Sequence, residues 1–205
     1  MSNDLVVHVV DDDAAVRDSI AFLLDTAGLK SRTYDSAVAL LDRADALEPG
    51  CIVTDVRMPD VNGLEMVRRL KAADVRLPVI VITGHADVPL AIEAMHAGVA
   101  DFIEKPFDDE ALLASVDTAL AAGAATRDQM VRDAEIRARL DALSTRERQV
   151  LDGLVAGHAN KVIAYDLDIS PRTVEVYRAN VMTKMQVRSL SELVRLSLMA
   201  SPDRA

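Results

Sequence analysis

Five side chains in the first 105 residues could carry out one reaction together: Asp11, Asp12, Asp55, Thr83 and Lys105. Each directly follows, or ends, a short apolar run. Carboxylates gathered at one place repel one another and raise a pKa, unless a cation with a preference for oxygen neutralises them, and Mg²⁺ is the ion that fits. A carboxylate held beside such an ion can attack a phosphoryl group. An ammonium stabilises the charge that develops on the phosphoryl oxygens, and a hydroxyl can donate to one of them. The chemistry is therefore phosphoryl transfer onto an aspartate. A single aspartate at a strand end is more often a helix cap, which is the role expected of Asp13.

The elements that must bring these groups together are legible in the hydrophobic pattern. Runs at 5–10, 51–54 and 79–83 are rich in valine and isoleucine, as buried parallel strands are, and weaker runs lie at 31–34 and 101–104. Helical stretches fall between and after them, near 14–26, 36–45, 63–73, 88–97 and 109–121, with Ser36 and Asp108 as caps and Gly28 as a stop. Strands alternating with helices give a doubly wound, flavodoxin-like α/β domain with a five-stranded parallel sheet. In such a sheet, groups at the carboxyl ends of the strands converge on one crevice.

Beyond residue 123 the composition changes. Residues 1–123 hold ten basic and 22 acidic side chains, a net of −12, whereas the remainder is at +2. Three parts follow: an α/β domain over 1–123, a linker over 124–143, expected to be helical and weakened or interrupted at Gly123, and an all-helical domain over 144–205. The last opens on Ser144-Thr-Arg-Glu147, the pattern of a capping box, with Val150, Leu151 and Leu154 forming an apolar stripe and Gly157 closing the helix. A short helix runs from Asn160 to Leu167. Ser170 and Pro171 then cap and start another, and a final helix covers about 191–200.

Asp11-Asp12, Asp55-Val-Arg-Met-Pro, Thr83-Gly and Lys105-Pro106-Phe107, each at its strand end, resemble the response-regulator receiver family. The resemblance implies that Asp55 is the phosphoacceptor and that Asp11, Asp12, Asp55 and the backbone carbonyl of Arg57 hold Mg²⁺. It implies that Lys105 and Thr83 stabilise the phosphoryl group, that Thr83 and Phe102 form a switch pair, and that the Lys105–Pro106 bond is cis. Many members of the family carry tyrosine where Phe102 stands. Without a hydroxyl, the switch here must work by packing alone.

Residues 144–200 resemble the LuxR/FixJ type of helix-turn-helix, through Ser144-Thr-Arg-Glu-Arg, Gly157, Asn160-Lys161, Ile163-Ala164, Ile169-Ser170, Thr173-Val174 and Lys184-Met185. Helical geometry sorts the helix that begins at Pro171. At about 100° per residue, Val174, Tyr177, Val181 and Met185 share one apolar arc. The opposite arc presents Arg172, Glu175, Val176 and Ala179, flanked by Thr173 and Asn180, and these are the base-facing candidates. Asn160, Lys161, Arg178 and Lys184 lie at helix starts or edges, where phosphate contact is expected. A net of +2 is weak for a DNA-binding domain, so this assignment rests on motif and placement.

Together the two resemblances imply a phosphorylation-activated transcriptional regulator. Its partners would be a FixL-like sensor histidine kinase, promoter DNA and, on phosphorylation, a second copy of the chain. Its targets would be nitrogen-fixation or microaerobic genes, or an unrelated regulon of the same subfamily. Ile92 and His96, four apart on one helix, would share a dimer seam unless Ile92 is buried on the sheet. No enzyme activity beyond self-assisted phosphotransfer and dephosphorylation is expected: haloacid-dehalogenase phosphatases carry an aspartate two residues after the nucleophile, where Arg57 stands here. The single cysteine, Cys51, cannot form an internal disulfide. His8, His85, His96 and His158 have no partner at metal-ligand spacing, although His85 lies near enough to the site to tune the lifetime of the phosphoryl group. No apolar run approaches the roughly 20 residues of a membrane span, so a cytoplasmic protein without membrane contact is expected.

Overall fold

The computed structural model describes residues 5–84 and 88–199; His85 and Asp87, and Ala200 at the expected end of the last helix, lie outside the described residues. The chain divides into two compact units, Met1–Arg127 and Asp128–Ala205.

In the first unit, β1 (Val6–Val10), β2 (Lys30–Tyr34), β3 (Gly50–Asp55), β4 (Val79–Thr83) and β5 (Asp101–Glu104) form a parallel sheet in the order β2-β1-β3-β4-β5. This is the flavodoxin-like order, with its reversal of winding between β1 and β3. Strands β1, β3 and β4 are buried along their whole length, as their largely apolar sequences require, whereas β2 buries only Tyr34 at its end and keeps Lys30 and Arg32 exposed.

Side chains alternate across the sheet, so each strand feeds two cores. Val10, Ile52, Val79 and Val81 face α2 (Ala37–Leu41), α3 (Gly63–Ala72) and α4 (Val88–Ala97). Val7, Val9, Cys51, Val53, Ile80 and Ile82 face α1 (Ala14–Thr26) and α5 (Asp109–Asp141). Asp13 caps α1, its carboxylate accepting from the Ala15 N–H at 2.8 Å, and Ser36 caps α2 by accepting from Ala39 at 3.2 Å. Gly28 adopts φ +75 beyond the end of α1, in the left-handed region that glycine enters without strain. The helix expected over 36–45 is shorter: α2 ends at Leu41 and a 3₁₀ turn covers Ala44–Ala46.

Helix α5 corrects the expectation at Gly123. The helix runs unbroken through this position for 33 residues. Here glycine serves close packing, because a Cβ would lie 3.2 Å from the Pro78 ring and 3.3 Å from the Gly50 carbonyl.

The second unit contains the C-terminal turns of α5, then α6 (Thr145–Val155), α7 (Asn160–Asp166), α8 (Pro171–Met185) and α9 (Leu190–Met199). The capping box is formed: Ser144 Oγ accepts from the Glu147 N–H, and the Glu147 carboxylate accepts from the Ser144 N–H at 2.8 Å. Ser170 caps α8 with Pro171 in the first turn. The segment assigned to the linker contributes directly to this unit's core. Ile136, Leu140 and Leu143 are buried with Val150, Leu151, Ile163, Val174, Val181, Met185 and Leu193. Its carbonyls are also satisfied from this unit: Arg148 donates to the Leu140 carbonyl at 2.6 Å and Lys184 to that of Ala142 at 3.3 Å.

Candidate functional site

The carboxyl ends of β1, β3, β4 and β5 bring Asp11, Asp55, Thr83 and Lys105 to one edge of the sheet. Asp11, Asp55 and Thr83 are buried. The Lys105 ammonium bridges the two carboxylates, donating to Asp55 Oδ1 at 2.8 Å and to Asp11 Oδ2 at 3.0 Å. Burial is the largest single influence on Lys105 and lowers its pKa, but the hydrogen bonds to Asp55 and Asp11 outweigh it, and the net displacement is upward. The ammonium therefore stays charged at neutral pH.

Local backbone geometry fixes both aspartates. The Arg57 N–H donates to Asp55 Oδ2 at 2.6 Å, so the turn after β3 holds one carboxylate oxygen while Lys105 holds the other. Asp11 Oδ1 accepts from the Asp13 N–H at 2.9 Å, and the Asp11 carbonyl accepts from Arg17 at 2.6 Å. Gly63, absent from the sequence reading, sets the distance between α3 and β3. Its N–H donates to the Val56 carbonyl at 2.9 Å, and a Cβ there would stand 2.2 Å from the Asp55 carbonyl. The available signal was Asn62, the cap of α3, placed immediately before a glycine.

The remaining predicted receiver residues are placed as follows. Asp12 is exposed, next to Asp11. Thr83 shares a face of β4 with Val81, whose register partner on β5 is Phe102. Phe102 is half-buried against the cluster that contains Ala94 and Ala97 of α4. Thr83 and Phe102 thus lie on the α4 side of the sheet. The Lys105–Pro106 bond is cis.

Among the described residues, no three carboxylate, histidine or cysteine side chains converge closely enough to enclose an ion by themselves. Mg²⁺ does not need such a cage, because it keeps several waters and takes one or two carboxylates. The two buried carboxylates outnumber the single ammonium between them, and every donor at the site is a hard oxygen. The residues present fit that ion.

On α4, Ile92 is 51% exposed, which removes the alternative of burial on the sheet, and His96 is exposed as well. Val88 and Met95, absent from the sequence reading, extend the same exposed apolar strip. Nearly every position of α4 is apolar, so its buried and exposed faces cannot be told apart by periodicity. Arg68 of α3 pairs with Glu93 of α4 at 2.6 Å.

In the second unit, Val174, Val181 and Met185 are buried and Tyr177 half-buried, on the arc assigned to packing. Arg172, Glu175, Val176, Ala179 and Asn180 are exposed on the opposite arc, with Val176 at 56%. Thr173 is half-buried and its hydroxyl lies 2.8 Å from that of Ser170, so it serves the cap. Lys161 is exposed, and Asn160 and Arg178 are half-buried. Lys184 is exposed, and its ammonium also donates to the buried Glu147 carboxylate at 2.7 Å. That hydrogen bond, and next the Ser144 N–H, hold the Glu147 carboxyl below its usual pKa. Lys184 therefore ties the end of α8 to the start of α6.

Comparison with known proteins agrees with this architecture. Residues 7–117 match the response regulator receiver domain family and residues 141–197 match the bacterial regulatory proteins, luxR family. The chain is 58% identical over 200 residues to the transcriptional regulatory protein FixJ of Azorhizobium caulinodans, covering 98% of this chain and 95% of the relative. Among solved structures, full-length FixJ from B. japonicum is 52% identical with a TM-score of 0.59, covering 96% of this chain and 97% of that one. The response regulator StyR, at 37% identity, superposes with a TM-score of 0.82 over 96% of this chain and 99% of that one.

Proposed function

Because the chain belongs to the response regulators, as a relative of FixJ with a receiver domain ahead of a LuxR-type DNA-binding domain, we propose that phosphorylation of Asp55 by a sensor histidine kinase switches on dimerisation and promoter binding. The observation that carries this is the buried Asp55 carboxylate, held at one oxygen by the Arg57 N–H and at the other by the Lys105 ammonium.

Asp55 attacks through Oδ1, whose hydrogen bond from the Lys105 ammonium can pass to the incoming phosphoryl group, while Oδ2 stays held by the Arg57 N–H. A bond forms from Oδ1 to phosphorus while the bond from phosphorus to the donor imidazole breaks, and the imidazole recovers a proton from solvent. Lys105 then transfers its hydrogen bond from Asp55 Oδ1 to a phosphoryl oxygen. When bound by Asp11, Asp12, Asp55 and the Arg57 carbonyl, Mg²⁺ supplies positive charge to the phosphoryl oxygens. No catalysis on other substrates is assigned to the chain.

The Thr83 hydroxyl turns toward the phosphoryl group, and the space it leaves lets Phe102 move inward beneath α4. The strip of Val88, Ile92 and Met95, with His96 beside it, then pairs with the same strip of a second copy. Dimerisation sets two α8 helices on paired half-sites about one DNA turn apart. Arg172, Glu175, Val176 and Ala179 read base edges, while Asn160, Lys161 and Arg178 meet phosphates. Lys184, already tied to Glu147 and the Ala142 carbonyl, keeps a third N–H for a phosphate at the end of α8. Likeness to FixJ extends the reading to a FixL-like kinase and to nitrogen-fixation or microaerobic genes. The setting is cytoplasmic, and no helix among the described residues is long and apolar enough to cross a membrane.

The test is intact-mass analysis after incubation with acetyl phosphate and Mg²⁺. One phosphoryl group is expected on the wild type and none on Asp55→Asn. Equal incorporation in the two proteins removes Asp55 as the acceptor.

A further inference from the structure

At the end of the sheet opposite the acceptor site, where Pro78 leads into β4 and Ala100 into β5, a cavity of about 390 Å³ opens beside α5. Val67 and Leu70 of α3 and Val79 of β4 line it as buried side chains, with Leu77 and Pro78 half-buried next to them. Ala122, Gly123 and Thr126 supply the α5 wall. Voids between packed elements are seldom larger than a water molecule, whereas this volume falls in the range of about 300–1,000 Å³ that small-molecule sites occupy.

Charge at the rim indicates what fills it. Gly98, at φ +72 beyond the end of α4, makes room for the Lys71 side chain: a Cβ there would stand 2.1 Å from Lys71 Nζ. The carbonyl end of α4 accounts for the position of the ammonium, since a helix C-terminus attracts a cation. It does not satisfy the ammonium. The Ala94 and Met95 carbonyls accept from the Val99 and Gly98 N–H groups, and among the described residues no hydrogen bond or ion pair engages Lys71. Arg76, also at the rim, gives its Nε–H to Asp74 at 2.8 Å. Lys71 and Arg76 against Asp74 leave the lining at a net of +1. A neutral apolar guest would leave that charge without a partner, and a small hydrated anion would leave the apolar floor uncovered. A single carboxylate on a hydrocarbon body answers both.

We propose that this cavity binds an apolar monocarboxylate, with its hydrocarbon body against Val67, Leu70 and Leu77 and its carboxylate on the Lys71 ammonium. The site is separate from the phosphoryl chemistry at Asp55 and does not depend on it. Because α5 supplies one wall at Ala122, Gly123 and Thr126, the occupant ties α3 and β4 to α5 just ahead of the division between the two units.

The test follows the backbone amide resonances of the full-length protein during titration with cyclohexanecarboxylate and, separately, with neutral cyclohexylmethanol, which has the same body. The carboxylate should give saturable shifts centred on Leu77, Gly98 and Gly123 with a Kd of about 1 mM or tighter, and the alcohol should bind roughly fivefold more weakly or worse. Lys71→Met, which keeps the stem and removes the charge, should bind the two compounds alike. Absence of saturable shifts up to about 20 mM carboxylate, or shifts centred elsewhere, overturns the proposal. Equal binding of acid and alcohol by the wild type overturns it too, as does a preference for the acid that survives Lys71→Met. Saturation of the same amides by inorganic phosphate would show that the apolar floor is idle, and would also overturn it.

Discussion

Lys105 touches both buried carboxylates of the acceptor site, so its removal separates metal binding from phosphoryl stabilisation. Lys105→Ala should bind Mg²⁺ at least as well as wild type, since a competing cation is gone, while phosphorylation or its effect on DNA binding is impaired; metal titration and phosphoryl incorporation on the same protein compare the two. Equal phosphorylation and equal activation would take Lys105 out of the mechanism. His8 offers a second test in the same unit. Its Nε2–H donates to the Glu48 carbonyl at 3.0 Å, which leaves Nδ1 to accept from the Tyr34 hydroxyl at 3.1 Å. Burial, the largest influence, lowers the pKa of His8 from 6.5, against the raising effect of the Glu48 carbonyl. The neutral ring is therefore the native form, and its contribution is complete above the unfolded value of 6.5 and is lost as pH falls toward and through the lower folded value. Between about pH 7 and about pH 5, urea midpoints of the wild type should fall more steeply than those of His8→Gln; parallel curves would contradict this. At this scale Asp11, Asp55, Thr83 and Lys105 were legible because each residue type sits at its own strand end. The Lys184–Glu147 bond was not, because nothing in the local pattern of either segment points to a partner 37 positions away.

Elements were legible where period and punctuation agreed. The valine-rich runs gave the strands, and Asp13, Ser36, Ser144 and Ser170 all cap the helices that follow them. The helical character of 124–143 was legible, but the unbroken passage of α5 through Gly123 and its share in the second core were not. Its central turns are alanine-rich without large apolar side chains at core spacing, and the buried Ile136 and Leu140 stand in a segment rich in arginine and aspartate, so the apolar spacing that would announce a core helix is diluted. Gly63 belongs to this scale because it governs how closely α3 approaches β3. Gly63→Ala drives a methyl group against the Asp55 carbonyl, and relief requires α3 or the acceptor strand to shift. A loss of stability of about 1–3 kcal/mol is expected in urea denaturation, with slower phosphoryl incorporation at the displaced Asp55. A variant as stable and as fast as wild type would show that α3 yields without disturbing the site.

At the scale of the whole molecule, −12 over residues 1–123 and +2 over the rest separate an acidic half that carries the receiver domain from a mildly basic half that carries the LuxR-type DNA-binding domain. The division between the two compact units falls within α5, ahead of Ile136. A fragment covering 128–205 keeps Ile136, Leu140 and Leu143, and should fold. One covering 144–205 loses all three side chains from the core and, at about 2–5 kcal/mol for each large aliphatic lost, should be mostly unfolded. Circular dichroism melts of the two fragments check this, and equal midpoints would show that α5 is dispensable to the second unit. The central claim, that a phosphoryl group on Asp55 controls DNA binding, is tested most directly by a mobility-shift titration of full-length protein, with and without acetyl phosphate and Mg²⁺, beside Asp55→Asn. The account predicts that the donor tightens binding of the wild type and leaves Asp55→Asn unchanged; wild-type affinity that ignores the donor, or an Asp55→Asn protein that responds to it equally, would contradict it.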